Sequence, residues 1–342
     1  MRKKTLITTA GLCLVLMLAA FGVKAAAVRA KDETAEEKHQ QIPYRFADKQ
    51  EGQKLLMSNT RYHEGFTEND LQFRMQSKDA AMEEYLSFAK DQVRDFTAVQ
   101  KALISKTMDR IEEIAADKGY HFPALDEITF VCTTMKEECD AAAYTHGTQI
   151  YVSKSVMDTC AENKGYDSYL LQLMAHELFH CLTRCNPDFR ADMYKLIHFT
   201  VQEKEYELPP SVLDYFISNP DVGHHDAFAA FKINGKLIDC YMAFATRKHF
   251  EKPGDSFFDT GSAVLVPVDG SDQYYYSEDA SNFKEVMGEN TEYTIDPEEC
   301  MADNFSFLIA YDKDGPEGKG YKTPEIIDGI RDYLQGAAAS SR

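Results

Sequence analysis

The segment YLLQLMAHELFHCLTR, residues 169–184, combines a helical pattern of apolar residues with two histidines and a glutamate. Its apolar side chains recur at every fourth position from Leu170 to Leu178, which is typical of one buried face of a helix. His176 and His180 have the same spacing on a neighbouring face, so a single turn would separate their two imidazole rings. The sequence therefore predicts a helix over 169–184 that presents two histidines side by side.

This spacing of histidines suits a metal ion. Two imidazoles at positions i and i+4 of a helix can both reach one Zn²⁺ at about 2.0–2.1 Å. Glu177 lies about 100° further around the helix and still flanks such an ion, so it can act as general base on a zinc-activated water. We expect His176 and His180 to be zinc ligands and Glu177 to be catalytic. The alternative is two partly exposed histidines on an amphipathic helix.

A catalytic zinc site has a third protein ligand and one position for water. Thr183 and Asn186 stand where a motif with a third histidine requires Gly and His, so that ligand must come from another segment. Glu299 is the favoured candidate, because Asp303 follows it on the same helical face. Asp303 can accept the second N–H of a ligating imidazole and so fix its tautomer.

Other interpretations of these positions remain open. Glu299 is also the third helical residue after the expected N-cap Asp296, where a glutamate often caps backbone N–H groups. Glu298 is a rival ligand, but the residue four positions after it is Ala302 and not an acid. Weaker alternatives for the third ligand are Glu203, His198 and Cys181.

HELFH (176–180) and PEECMADNF (297–305) together resemble the gluzincin clan of zinc metallopeptidases, and most closely its secreted bacterial gluzincin-like proteins. The resemblance extends over about residues 125–310. It implies an α+β, zincin-like fold with a small mixed sheet, an active-site helix and a glutamate helix. It also implies hydrolysis of peptide bonds in a peptide or protein substrate. Residues 143–152 resemble the edge strand that pairs with an extended substrate in this clan.

The clan usually adds a Tyr or His that stabilises the oxyanion of the tetrahedral intermediate. The candidates for that residue are His224, His225, Tyr241, Tyr274, Tyr275, Tyr276 and Tyr293. In one respect the chain departs from compact members, because 119 positions separate His180 from Glu299. We expect a β-rich insertion over 206–295 to fill this gap, either as a wall of the cleft or as an accessory surface.

The N-terminus predicts export. Three basic residues after Met1 precede an uncharged run over 5–23 and small residues, which is the pattern of a secretory signal peptide. An uncleaved anchor is the alternative, and only in that case do we expect membrane association. The expected divisions are a signal peptide (1–25), a linker (26–42), a helical N-terminal region (43–122), a zincin-like catalytic domain (123–335) and a flexible tail (336–342).

Composition restricts the partners. Fifty-six acidic residues against 37 basic ones give a formal charge of −19, which argues against nucleic acid because phosphate binding needs a basic surface. Beyond the signal segment seven cysteines remain, an odd number that leaves at least one thiol unpaired within the chain. Cys132 with Cys139, and Cys181 with Cys185, are local candidate pairs. Nothing in the sequence indicates the oligomeric state.

Other local signals predict elements around these motifs. Helices are expected over 91–118, 188–202 and 324–334, and from the N-cap Asp296 to Tyr311. The dipeptide Asn234-Gly235 predicts a β-hairpin. Ser168 is the expected cap of the histidine helix, and 312–315 is expected to be a loop and not a calcium site. The competing functional hypotheses are a non-catalytic, zinc-containing binding protein of the cell surface or periplasm, and zinc-dependent hydrolysis of a non-peptide amide.

Overall fold

A computed structural model describes residues 41–336 as an α+β protein in which helices pack against two separate sheets. The expected signal peptide, most of the expected linker and all but the first residue of the expected tail lie outside the described residues. Within the described part, no helix combines the length and the apolar character needed to cross a bilayer.

The elements before the histidine helix are β1 (Tyr44–Phe46), α1 (Lys49–Ser58), α2 (Thr60–Glu64), α3 (Glu68–Met75), α4 (Met82–Lys90), β2 (Val93–Arg94), α5 (Ala98–Lys118), β3 (Ile128–Thr133), β4 (Ala143–His146), β5 (Gln149–Ser153) and α6 (Lys154–Glu162). The middle of the chain contains α7 (Asp167–Cys185), α8 (Pro187–Lys195), β6 (Thr200–Val201), α9 (Pro210–Leu213), β7 (Ala227–Ile233), β8 (Lys236–Thr246), α10 (Phe257–Thr260), β9 (Gly261–Pro267), β10 (Tyr275–Tyr276) and α11 (Phe283–Met287). The last two helices are α12 (Pro297–Tyr311) and α13 (Pro324–Leu334).

The first sheet is mixed and has the order β1-β3-β5-β4, with β2 paired to the end of β3. Strands β1, β3 and β5 are parallel, whereas β4 runs antiparallel to β5 and forms an edge. The region expected to be helical, 43–122, therefore contributes two strands to this sheet. The expected helix over 91–118 begins only at Ala98, because β2 pairs with β3 and Thr97 then caps the helix through a capping box with Gln100.

The second sheet is antiparallel and has the order β10-β9-β8-β7-β6. The hairpin expected at Asn234-Gly235 is confirmed, and both residues have positive φ (50° and 78°), as a type I′ turn requires. The expected helix over 188–202 is wrong in its second half. Helix α8 ends at Lys195, His198 adopts a left-handed φ of 65°, and β6 pairs with β7.

The two motif-bearing helices are α7 and α12, and they pack against each other in the main core. Every residue of α12 from Pro297 to Ile309 is buried. Asp296 caps this helix as expected, accepting the Glu298 N–H at 2.8 Å. The expected cap Ser168 is wrong, because α7 already begins at Asp167 and so places Ser168 in its first turn.

Neither candidate disulfide is formed. The seven cysteines within the described residues are all free thiols, and five of them are buried. Cys139 also has a left-handed φ of 55° at the end of a short 3₁₀ turn, whereas Cys132 lies inside a strand.

We expect Gly235→Ala to lower the free energy of unfolding by about 1 kcal/mol, because alanine is strained at a left-handed φ. Gly223→Ala is the matched control, since its backbone needs no positive φ and open space surrounds it. Urea unfolding of both variants measures the difference. Equal losses in the two variants would contradict the assigned turn.

Candidate metal centre

Three side chains expected to bind zinc lie together between the two motif helices. The ligand atoms of His176, His180 and Glu299 are all within 4.8 Å of one another. Oε2 of Glu299 is 3.1 Å from Nε2 of His176 and 3.6 Å from Nε2 of His180. Both histidines thus direct the same ring nitrogen toward one carboxylate oxygen, although 119 positions of sequence separate His180 from Glu299.

The other nitrogen of each ring contacts a second carboxylate from α12. Nδ1 of His176 lies 3.0 Å from Asp303 Oδ1, as the sequence pattern predicts. Nδ1 of His180 lies 3.0 Å from Glu298 Oε1, which the sequence did not predict. Because a carboxylate can only accept, Nδ1 of a neutral His180 carries the proton and its Nε2 keeps a lone pair. In His176 both ring nitrogens lie within hydrogen-bond distance of a carboxylate, so an ion bound at Nε2 requires the proton to be on Nδ1. Glu298 therefore orients the ring of His180, and Glu299 is the carboxylate placed as the third ligand.

Glu298 and Glu299 are themselves held in place. Glu298 accepts hydrogen bonds from the Thr183 hydroxyl at 2.6 Å and from the Tyr194 hydroxyl at 2.7 Å. Oε1 of Glu299 accepts from the Asn219 amide and, at 3.3 Å, from the Tyr293 hydroxyl, which leaves Oε2 directed at the histidines. These contacts hold the Glu298 carboxylate at Nδ1 of His180 and the Glu299 carboxylate near Nε2 of both histidines, although the two glutamates are adjacent in one helix.

The donor set fits a divalent metal ion. Nε2 of His180 is buried and has no hydrogen-bond partner, an arrangement that costs free energy unless another group satisfies the nitrogen. Two imidazole nitrogens and one carboxylate oxygen form the ligand set of many three-ligand zinc sites. The carboxylates behind both rings orient them and increase their basicity. These residues can hold a metal ion, and the set does not by itself identify which one.

The electrostatics of the cluster favour a cation. Burial opposes a charge on His176, yet hydrogen bonds to Asp303 and Glu299 hold its pKa well above 6.5. Burial acts in the same direction on His180, but the charge of Asp221 and the bonds to Glu298 and Glu299 raise its pKa to about 10. The buried carboxylates therefore stabilise positive charge at the position between the rings.

Glu177 lies beside this cluster with a second acid that the sequence did not predict. The ligand atoms of Glu177, His180 and Asp221 are within 4.8 Å of one another. Oε2 of Glu177 is buried without a hydrogen-bond partner. Burial, followed by the charge of Asp221, raises the pKa of Glu177 to about 8. A carboxyl group with that pKa can take up and release a proton near neutral pH.

The other candidate ligands lie elsewhere. His198 and Glu203 are exposed, and the Cys181 thiol is buried in the core with its pKa raised by burial. Asp312 forms ion pairs with Lys118 at 2.5 Å and with Arg331 at 3.5 Å.

Of the seven candidates for oxyanion stabilisation, Tyr293 hydrogen-bonds to a member of the cluster. The Tyr241 hydroxyl donates to the Glu207 carbonyl at 2.8 Å, and His225 Nδ1 contacts the Met242 carbonyl at 3.2 Å. His224 pairs with Glu205. Tyr274, Tyr275 and Tyr276 lie in or next to β10 at the edge of the second sheet.

A further group of possible ligands, Glu205, His224 and Asp226, lies outside this centre. Asp226 is already engaged by Arg190 at 2.6 Å and 2.9 Å, and the His224 side chain is 43% exposed. This second group is therefore more exposed than the first, and one of its carboxylates is already paired.

Sequence reasoning missed Asn219 and Asp221 because both lie in irregular chain between α9 and β7, where no periodicity assigns a direction to a side chain. The role of Glu298 could have been inferred from its position next to Glu299 in the sequence. Adjacent residues on a helix point about 100° apart, so two neighbouring acids can contact two different rings.

Comparison of the chain with protein-family models, with curated proteins and with solved structures found no match in any of the three.

We expect Glu298→Gln to weaken metal binding by about 10- to 100-fold, because the variant loses the charge that orients and polarises His180. Competition with a chromophoric chelator measures the affinity. Glu292→Gln is the matched control, since Glu292 is exposed and lies close by in sequence. Equal affinities in the two variants would refute the supporting role of Glu298.

Proposed function

We propose that this protein is a secreted zinc metallopeptidase with a zincin-like catalytic domain. The observation that carries the proposal is the convergence of His176, His180 and Glu299, with Glu177 on the neighbouring face and a carboxylate behind each ring. A structural zinc site is normally closed by four protein ligands, whereas this set has three. Export remains a prediction from the N-terminal sequence.

In this proposal each residue has a separate task. His176, His180 and Glu299 hold the ion, while Asp303 and Glu298 fix the two rings. A bound Zn²⁺ would supply Lewis acidity and lower the pKa of a coordinated water to about 7. Glu177 takes a proton from the attacking water and later delivers it to the leaving amine.

Tyr293 is the favoured candidate for oxyanion stabilisation. Its hydroxyl is 3.3 Å from Glu299 Oε1, and its ring centroid is 6.2 Å from that of His176. A phenol at this position can donate a hydrogen bond to a developing negative charge next to the metal. Burial raises its pKa well above 10, so the hydroxyl keeps its proton at neutral pH.

The second candidate function is a binding protein whose zinc centre does not catalyse hydrolysis. It is favoured by the burial of Glu177 and His180, which are only 2% and 0% exposed. Digestion of a peptide library with and without chelator separates the two functions, because only a peptidase yields chelator-sensitive cleavage.

We expect Glu177→Gln to retain zinc and to lose hydrolysis of a cleavable peptide by about 10²- to 10⁴-fold, because glutamine cannot accept the proton. Zinc analysis and turnover of the same preparation test both parts. Unchanged turnover would remove Glu177 from its role as general base.

We expect Glu299→Ala to lower zinc content well below one ion per chain, because only two of three ligands remain. Metal analysis after dialysis gives the occupancy, and Glu292→Ala is the control for loss of an exposed acid. Full zinc occupancy in Glu299→Ala would refute the ligand assignment and with it the proposed centre.

A further inference from the structure

The substrate side of the candidate metal centre is covered by the chain itself. Residues 218–222, here called the plug, lie between α9 and β7. Asn219 of the plug donates to Glu299, and the Asp221 carboxylate lies beside Glu177 and His180. Glu177 and His180, the two residues beside Asp221, are only 2% and 0% exposed.

The plug contacts the sheet edge at a position where a substrate could bind. Strand β4 is an edge strand, and its Thr145 N–H points away from β5 to donate to Asp221 Oδ1 at 2.7 Å. The Thr145 hydroxyl donates to the same oxygen at 2.5 Å. Unpaired N–H groups of an edge strand are the donors that an added peptide strand uses. Asp221 therefore accepts the Thr145 N–H, which would otherwise be available to a carbonyl of an extended substrate.

Two neighbouring elements hold the plug in place. Arg184 of α7 donates to the Pro220 carbonyl at 3.2 Å and to the Asp221 carbonyl at 2.9 Å. On the other side, Asp70 of α3 accepts the Ser218 N–H at 2.7 Å.

Arg74 of the same helix completes this second attachment. It donates to the Ser218 carbonyl at 2.7 Å and pairs with Asp70 at 2.7 Å and Glu138 at 2.8 Å. Arg74 and Asp70 are fully buried, so these are charge-assisted bonds shielded from water. The N-terminal helices thus hold the plug over the centre.

We propose that residues 218–222 are an internal inhibitory segment, in which Asp221 takes the place of a substrate carbonyl on β4 and must be displaced before a polypeptide can reach the metal centre. This inference rests on the proposed function, since it concerns access to the same centre. It also accounts for the burial of Glu177 and His180, because the Asp221 carboxylate of the plug lies against both of them.

The test is the rate at which pyridine-2,6-dicarboxylate removes Zn²⁺ from the full chain. A small chelator attacks an open centre directly, so the removal rate rises in proportion to chelator concentration. At a plugged centre the removal rate is limited by opening of the segment and becomes independent of chelator concentration. We expect the parent protein to show this independence.

Asp221→Ala removes the carboxylate that holds the plug to β4, but leaves the attachments to Arg184 and α3. We expect removal at least about tenfold faster than in the parent and proportional to chelator concentration, because two charge-assisted bonds are lost. Asp221→Asn keeps an acceptor oxygen and should give an intermediate rate. Asp269→Ala is the control, since the exposed Asp269 accepts the N–H of the nearby Ser271 at 3.0 Å and should leave the rate unchanged.

A parent protein whose zinc is removed in proportion to chelator concentration would overturn the plug, and so would an Asp221→Ala variant that loses zinc no faster than the parent. If Asp221→Ala does not fold, the concentration dependence of the parent protein alone decides between a plugged and an open centre. A parent protein that binds no zinc at all would instead reject the proposed function. Failure of the plug and failure of the metal centre are therefore distinguishable.

Discussion

The packing of α7 against α12 is the constraint on which the rest of this structure depends. Burying ionisable groups between two helices is costly unless each is paired. Here every ring nitrogen of His176 and His180 except one lies within hydrogen-bond distance of a carboxylate, and the exception is Nε2 of His180. Because the carboxylates come from α12 and the rings from α7, neither helix can rotate without leaving buried charge unpaired.

The remainder of the fold positions and covers this pair of helices. The first sheet supplies an edge strand beside α7, and the chain between α9 and β7 contacts the centre through Asn219 and Asp221. The N-terminal helices act at a distance, since buried Arg74 and Asp70 hold the backbone of Ser218. A region that at first looks separate from the centre is therefore coupled to it through the buried ion pairs of Arg74 with Asp70 and Glu138.

Much of the centre could be predicted because its residues follow helical geometry. The i, i+4 spacing of the two histidines, and of Glu299 with Asp303, is a local property that any helix converts into a shared face. Asp296 as a cap and Asn234-Gly235 as a turn are equally local. The sequence predicted the ends of helices less accurately. The helix expected to begin at 91 starts at Ala98, because pairing of β2 with β3 replaced the first two turns.

By itself the sequence determined which residues share a face: His176 with His180, and Glu299 with Asp303. Only the tertiary structure decided how the two faces meet, which acid supports which ring, and that Asp221 lies beside Glu177 and His180. The physical reason is that helical periodicity fixes direction within one element. The relative placement of two helices and an irregular segment depends instead on burying and pairing charges contributed by distant parts of the chain.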